Sequence, residues 1–376
     1  MAGLTDLPTR LKDIKLQIRE EYCESYEKPW VIGFSAGKDS TLLLHLVIEA
    51  ILSTPPDKRT RPVFVLSNDT LVESPVFQAW VDSAVGRVRE GVTALGLPIT
   101  VIKTSPADDS TFWVNLLGRG YPAPNRTFRW CTDRMKIRPT TKFIYDQIDS
   151  AGEVIILLGV RKAESDHRSG RINSYQRQSE SKRLYPHEDL ANCYIFAPIV
   201  DLTDEDVWHI LLSSRPPWGG DYRELVTLYR NGSGGECPFV IGESDAPGCG
   251  TSSARFGCWT CTVVEKDNSI IGLIDAGFDY LEPLAEFRER IKTVSANPDY
   301  RSKVRRNGQP GLGPLTFDAR KMLLTELVTI QETTGLNLIS EHEIRLIEEQ
   351  WNRDQSASMV REIEELVQIS GRHNSK

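Results

Sequence analysis

Nowhere does the 376-residue chain approach the ~20 consecutive apolar residues of a membrane span. Near Met1 there is also no charged-then-apolar pattern of a secretory signal. Together these absences predict a cytoplasmic protein with no membrane partner. Positive charge is not in excess either: the net charge is -7, which excludes indiscriminate binding to nucleic acid but not a local basic patch. Internal repeats and long low-complexity tracts are missing, which excludes solenoids and propellers. Cysteine is sparse, with seven residues, and four of them fall between Cys237 and Cys261. In a reducing compartment that clustering reads as metal ligands or reactive thiols rather than a disulfide framework.

What the chain does have is centred on Trp30–Leu46, WVIGFSAGKDSTLLLHL. The apolar run Trp30 to Phe34 predicts a buried parallel strand. Ser35-Ala36-Gly37-Lys38-Asp39-Ser40 predicts a turn, and Leu42, Leu43, Leu46, Val47 and Ala50 predict the inward face of a helix. A strand, a small-residue turn and a helix N-terminus form an anion trap, because free backbone N–H groups and the helix dipole face the turn. Gly37 permits close backbone approach, Ser35 and Ser40 supply hydroxyls, and Lys38 adds a point charge. A Walker A loop does not fit: only three residues separate Gly33 from Gly37, and Asp39 follows Lys38.

An amphipathic lead-in helix is expected within residues 5–27. Further strands are expected at Val63–Leu66, Ile99–Lys103, Val154–Val160 and Tyr194–Val200, alternating with helices. That order predicts an α/β, doubly wound parallel sheet. Ligands of such sheets lie at the carboxyl ends of the strands. This places Asn68, Asp69 and Thr70 beside the Ser35–Ser40 turn, with Glu73 before a helix starting near Pro75, and brings Arg161 back to the same edge. Carboxylates there suit Mg²⁺ on nucleotide phosphates, or serve as turn formers and caps. Thr203, with Asp206 three positions on, predicts a helix N-cap.

Residues 105–142 mix Arg119, Arg126, Arg129, Arg134, Lys136 and Arg138 with Tyr121, Phe128 and Trp130. Guanidinium forks among stacking faces suit phosphate and base recognition better than a solvated charge run does. Cys131 lies among these cations, which favour its thiolate; the alternative is a buried, inert thiol. From Pro216 the chain reads as loop-rich, with Cys237 and Cys249 followed by the C-x-x-C pair Cys258 and Cys261. Four thiols are enough for a Cys₄ site, and zinc and an iron–sulfur cluster both accept them. Residues 270–295 and 316–367 return to helical periodicity. Between them Arg301, Lys303, Arg305 and Arg306 are either phosphate contacts or a solvated linker.

SAGKDS, RWCTDRMKIRP, LLGVRKAESDHR and FAPIVDLTDEDVW resemble the blocks of the phosphoadenosine-phosphosulfate-reductase-like (PAPS-reductase-like) ATP pyrophosphatases. GRGYPAPNRTFRWCTDRMKI and GCWTCTVVEKD are similar to the DNA phosphorothioation sulfurtransferase component of the DndC type. The resemblance implies an adenine nucleotide alpha-hydrolase-like sheet with a Cys-rich loop region and a helical C-terminal appendage. The corresponding boundaries are 1–215 for the pyrophosphatase domain, 216–270 for the iron–sulfur region and 271–376 for the helices. It also implies ATP, Mg²⁺ and a [4Fe–4S] cluster, with DNA, a cysteine desulfurase and other phosphorothioation proteins as partners. Lys38, Asp39, Cys131 and Arg161 are the implied catalytic residues. The nucleotide is implied at Ser35, Gly37, Lys38, Asp39, Ser40, Asn68, Asp69, Thr70 and Arg161.

Alignment with cluster-bearing reductases selects Cys131, Cys258 and Cys261 for iron. Local density selects Cys237, Cys249, Cys258 and Cys261, the set adopted here, and frees Cys131 to carry a persulfide. No cysteine follows Cys261, which argues against the phosphosulfate reductase reaction itself. The implied function is adenylation of a DNA backbone phosphate followed by replacement of a non-bridging oxygen with sulfur. The alternatives are thiolation of tRNA or a small molecule by the same site, and an iron–sulfur DNA-binding regulator.

Overall fold

The computed structural model describes residues 6–25, 28–162, 183–232 and 256–356. Six strands form one sheet in the order β3-β2-β1-β4-β6-β5. They are β1 Trp30–Gly33, β2 Val63–Asn68, β3 Ile99–Thr104, β4 Val154–Leu157, β5 Leu184–Pro186 and β6 Cys193–Phe196. All neighbours pair in parallel except β5, which runs antiparallel to β6. The fold is therefore the α/β doubly wound sheet that the alternating pattern predicts. Strand order reverses between β1 and β4, so the ligand crevice of this topology opens between their carboxyl ends.

Side-chain alternation explains why both faces are covered. Trp30 and Ile32 of β1 enter a core shared with α1 (Leu7–Tyr22), α2 (Lys38–Leu52) and α3 (Pro75–Ala94). Val31 points the other way, into a smaller core completed by Ile144, Phe143 and Ile148 of helix Arg138–Ala151. The expected one-sided α2 is in fact buried almost all round, with Leu44, His45 and Ile48 inside as well. The reason is that α1 and helix Asp204–Ser213 pack against its outer faces.

Some boundaries differ from expectation. The fourth strand ends at Leu157 rather than Val160, and beyond it Gly159 packs against the Asp39 and Ser40 backbone at the start of α2. The last parallel strand stops at Phe196, before Pro198, which has no N–H for a ladder. Strand β5 is not among the expected strands; as a three-residue edge strand it shows no apolar alternation. Residues 223–232, read as loop, form a helix whose Leu225, Leu228 and Tyr229 join the first core. The Thr203 capping box forms as expected, with reciprocal bonds to Asp206.

A second core joins residues 112–135 to the C-terminal helices. These include Glu282–Ala296, Phe317–Thr334 and a helix over 341–356. Three tryptophans hold it together, and each satisfies its indole N–H: Trp113 to the Leu338 carbonyl (2.7 Å), Trp351 to that of Leu117 (2.8 Å) and Trp130 to that of Pro122 (2.9 Å). The helical periodicity at 270–295 and through 356 is thus realised, and residues 357–367 lie outside the described ones.

One buried network makes the fold sensitive to acid. Glu49 Oε2 pairs with His45 Nε2 at 3.3 Å and Lys15 Nζ at 2.7 Å, and His45 Nδ1 meets the Tyr222 hydroxyl at 2.7 Å. The His45 bond, supported by Lys15, outweighs burial and draws the Glu49 carboxyl down from 4.5 to about 2. A depressed carboxylate stabilises the fold fully above its ordinary value, and that contribution is lost as pH falls from 4.5 through about 2. Glu49→Gln is therefore expected to lower the urea midpoint at neutral pH and to converge with the parent protein in acid. A difference that stays constant with pH would contradict this.

Candidate functional site

The turn between β1 and α2 has the backbone that an anion trap needs. Ala36 sits at φ 55, a left-handed conformation that an alanine holds only under constraint. That constraint comes from the Trp80 indole, which donates to the Ala36 carbonyl at 2.8 Å. Ser35 and Ser40 close the turn through their hydroxyls at 3.1 Å, and Ser40 Oγ also accepts from the Ser35 amide (3.2 Å) and donates to the Gly37 carbonyl (3.1 Å). A Cβ on Gly37 would stand 3.2 Å from the Tyr229 hydroxyl and 3.4 Å from Ser35 Oγ, so glycine leaves the cradle its space.

A charged network sits over this turn. Lys38 Nζ lies 3.2 Å from Asp39 Oδ2 and 3.4 Å from Asp204 Oδ1. Arg161, arriving from the end of β4 and buried to 1% exposure, donates Nε to Asp39 Oδ1 at 2.7 Å and a terminal nitrogen to the Leu202 carbonyl at 3.2 Å. Its other terminal nitrogen pairs with Asp204. Burial disfavours the charge of Asp204, but Lys38 and Arg161 outweigh it and hold the carboxyl below its usual range. Two cations and two carboxylates thus converge at the strand-order reversal. A polyphosphate approaching the turn can exchange carboxylates for phosphate oxygens around Lys38 without stripping any charge bare.

Gly159 shows how tightly β4 abuts the turn. A Cβ there would lie 2.9 Å from the Asp39 carbonyl oxygen, 3.0 Å from its carbon and 3.1 Å from the Ser40 amide. All three are backbone atoms and have no side-chain freedom to yield. Gly159→Ala is expected to displace Asp39 and Ser40, and a shift of ~1 Å in groups at a reacting site lowers turnover by about a hundredfold. Turnover of the variant against that of the parent protein checks it, and an unchanged rate would show the approach to be loose.

The end of β2 holds the other expected nucleotide residues. Asn68 donates to the Met135 carbonyl (2.9 Å) and accepts from Thr104 (3.0 Å). Asp69 is engaged by Lys103 (2.7 Å) and by the Leu71 amide (2.8 Å), and Thr70 is fully buried. Residues 257–259 run antiparallel along 72–74, with Trp259 N–H on the Val72 carbonyl at 3.0 Å. This seats Cys258 3.2 Å from the Thr70 hydroxyl and 3.8 Å from Glu73.

Cys131, Cys258 and Cys261 all act on Lys136, whose pKa is raised first by Cys258 and further by Glu73, against burial. Burial pushes Cys258 up to about 12, with Glu73 adding to it. For Cys131 the expected thiolate is not favoured: burial raises its pKa, and the nearby Lys136 only partly opposes this. The cations around Cys131 are turned to other partners, Arg134 to Tyr121 and Arg138 to Asp133. Cys237 and Cys249 lie outside the described residues. Among the described residues no group of three His, Cys, Asp or Glu side chains is arranged to hold a metal ion. Also among them, no helix is long and apolar enough to cross a membrane.

Two participants, Tyr229 and Asp204, escaped the sequence reading, and Lys136, read among the cations of residues 105–142, meets the cysteines instead. Tyr229 accepts the Lys38 amide at 3.2 Å and lays its ring 5.6 Å from Lys38 Nζ. The Leu225–Leu228–Tyr229 spacing was the signal for its helix. Asp204 stands directly after the predicted cap Thr203.

Residues 29–264 match the phosphoadenosine phosphosulfate reductase domain. The chain belongs to that family. Its turn, Arg161 and C-x-x-C all fall within the matched span. Among curated proteins, an uncharacterized protein of Methanocaldococcus jannaschii is 26% identical over 201 residues, covering 54% of this chain and 35% of the relative. The chain thus spans about a third of that relative's length. Solved structures similar to it include a phosphoadenylyl-sulfate reductase from Candida auris, phosphate complex (13% identity, TM-score 0.34, covering 56% of this chain and 87% of that one). A U34-tRNA thiolase from Methanococcus maripaludis with its [4Fe-4S] cluster gives 14%, 0.35, 70% and 90%. An NAD+ synthetase from Burkholderia pseudomallei gives 12%, 0.37, 78% and 89%. At such scores the likenesses bear on no question of activity.

Proposed function

We propose that this member of the phosphoadenosine phosphosulfate reductase domain family is a cytoplasmic ATP pyrophosphatase and sulfurtransferase of the DNA phosphorothioation (DndC) type. The observation that carries the reading is the ring of Lys38, Asp39, Arg161 and Asp204 over the Ser35–Ser40 turn. In this reading Mg²⁺–ATP lays its phosphates on Ser35, Gly37, Lys38 and Ser40, with Arg161 aligning Asp39 and the adenine near Asn68–Thr70. A non-bridging oxygen of a DNA phosphate attacks the α-phosphorus. The α–β bond breaks, pyrophosphate leaves and the backbone is adenylated. The terminal sulfur of a persulfide supplied by a cysteine desulfurase then attacks the DNA phosphorus, and AMP departs with the oxygen. A thiol cleaves the remaining S–S bond, leaving phosphorothioate and a disulfide. Other phosphorothioation proteins are proposed to deliver the DNA and the sulfur.

Four thiols, Cys237, Cys249, Cys258 and Cys261, make a chemically suitable donor set for a [4Fe–4S] cluster, which would supply iron able to bind and present sulfur. Cys258 of this set lies 3.2 Å from the Thr70 hydroxyl, and Cys131 is the thiol proposed to carry persulfide. Pyrophosphate release from ATP tests the proposal: DNA is expected to stimulate it and tRNA is not. Stimulation by tRNA alone would transfer the reading to RNA thiolation. Iron and sulfide content of single Cys→Ser variants purified without oxygen tests the ligand set.

A further inference from the structure

The loop between Gly120 and Trp130 is fixed at its base and presented at its tip. Trp130 is buried in the second core with its ring stacked 5.3 Å from Phe112. The Ala123 amide donates to Ser295 at 2.9 Å, and Thr262 donates to the Pro124 carbonyl at 2.6 Å. At the tip, Asn125 Oδ1 accepts from the Thr127 amide (3.0 Å), the Thr127 hydroxyl (2.9 Å) and the Phe128 amide (2.9 Å). This rigid turn holds the Phe128 ring in solvent at 44% exposure, where burial in the adjacent core would be favourable. Arg126 and Arg129 flank it, both exposed.

Phe128 is continuous with a second aromatic, Tyr121, 6.2 Å away. Arg134 and Arg306 lie over the Tyr121 ring at 5.3 and 4.7 Å. Arg306 comes from residues 301–315, which fold back on themselves through the Arg301–Leu315 and Val304–Pro310 pairings and dock on Gly120 and Arg119. Within that stretch Arg301 is structural, donating to the carbonyls of Gly313 and Ser295, so it is not the phosphate contact its charge suggested. The surface therefore presents the Phe128 ring among three exposed guanidinium groups, Arg126, Arg129 and Arg306, on a chain whose net charge is -7. It also adjoins the nucleotide edge, because the Met135 carbonyl one residue beyond Arg134 accepts from Asn68.

We infer that this surface holds the substrate strand: a DNA segment with an unstacked base laid on Phe128 and phosphates on Arg126, Arg129 and Arg306, while Tyr121, packed under Arg134 and Trp130, supports the Phe128 ring from below. Single-stranded nucleic acid fits this chemistry, since stacking on aromatic faces tolerates any base and guanidinium groups track the backbone. The inference rests on the reading of DNA as substrate and names where it binds.

The test is fluorescence anisotropy of labelled single-stranded DNA on the full chain over a salt series. Phe128→Ala is expected to weaken binding about tenfold with an unchanged salt slope, because it removes stacking and no charge. Arg126→Ala with Arg129→Ala is expected to weaken binding and to flatten the slope of log K against log salt by about 1.4, from ~0.7 per lost phosphate contact. All three positions are exposed, so unchanged thermal unfolding serves as the folding control. Equal affinity and slope in the parent protein and both variants would overturn the assignment, as would loss of tRNA binding alone with no binding of DNA. Bound DNA that never yields pyrophosphate would sink the reaction and leave the surface standing. Normal turnover in both variants would do the reverse.

Discussion

Arg161→Ala is expected to abolish ATP turnover and to destabilise the protein by about 3 kcal/mol. The guanidinium is buried and serves Asp39, Asp204 and the Leu202 carbonyl at once. Removing it leaves the Asp39 carboxylate, whose side chain is only 16% exposed, with Lys38 as its sole opposite charge in the network. Breaking a buried pair from one side typically costs ~3–5 kcal/mol. The Asp204 side chain is 48% exposed and regains water, which places the total at the lower end. Arg161→Lys is expected to recover little, because an ammonium cannot bridge two carboxylates and a carbonyl as a planar fork does. Urea unfolding with an unchanged m-value checks the stability term. A variant as stable as the parent protein would show that the network is ornamental.

Lys38→Ala is expected to separate chemistry from folding. Asp39 and Asp204 keep Arg161, so stability should fall by less than in Arg161→Ala. Turnover should fall by about a thousandfold or more, the scale seen when a cation facing a transferring phosphoryl group is lost. ATP affinity should fall as well, since Lys38 is the cation nearest the turn. Pyrophosphate release and urea midpoints measured on the same preparation give both quantities. Retained turnover would remove Lys38 from the site.

Much of this site was legible in the sequence because it is local. Ser35, Gly37, Lys38 and Ser40 lie within one turn whose geometry follows from a buried strand meeting a helix. Arg161 was legible one step further out, because a parallel strand returns its carboxyl end to the same edge. Tyr229 and Asp204 were not, since each reaches Lys38 through helix packing that no spacing in the chain records. The thiols mark the same limit. Cys258 comes to Thr70 because residues 257–259 lie along 72–74, a pairing across nearly two hundred residues that periodicity does not reveal. Cys131 shows the opposite error: its flanking cations were read as neighbours in space, but two of them turn to Tyr121 and Asp133, and burial raises its pKa against Thr132 and Lys136.

The most direct measurement is mass spectrometry of nuclease-digested DNA from the native host, comparing the wild type, a deletion strain and a Lys38→Ala strain. Phosphorothioate dinucleotides are expected in the wild type and absent from both mutants. Their absence from all three strains, or their survival in the deletion, would contradict DNA as the substrate; their survival in the Lys38→Ala strain alone would contradict the Ser35–Ser40 turn as the seat of the chemistry.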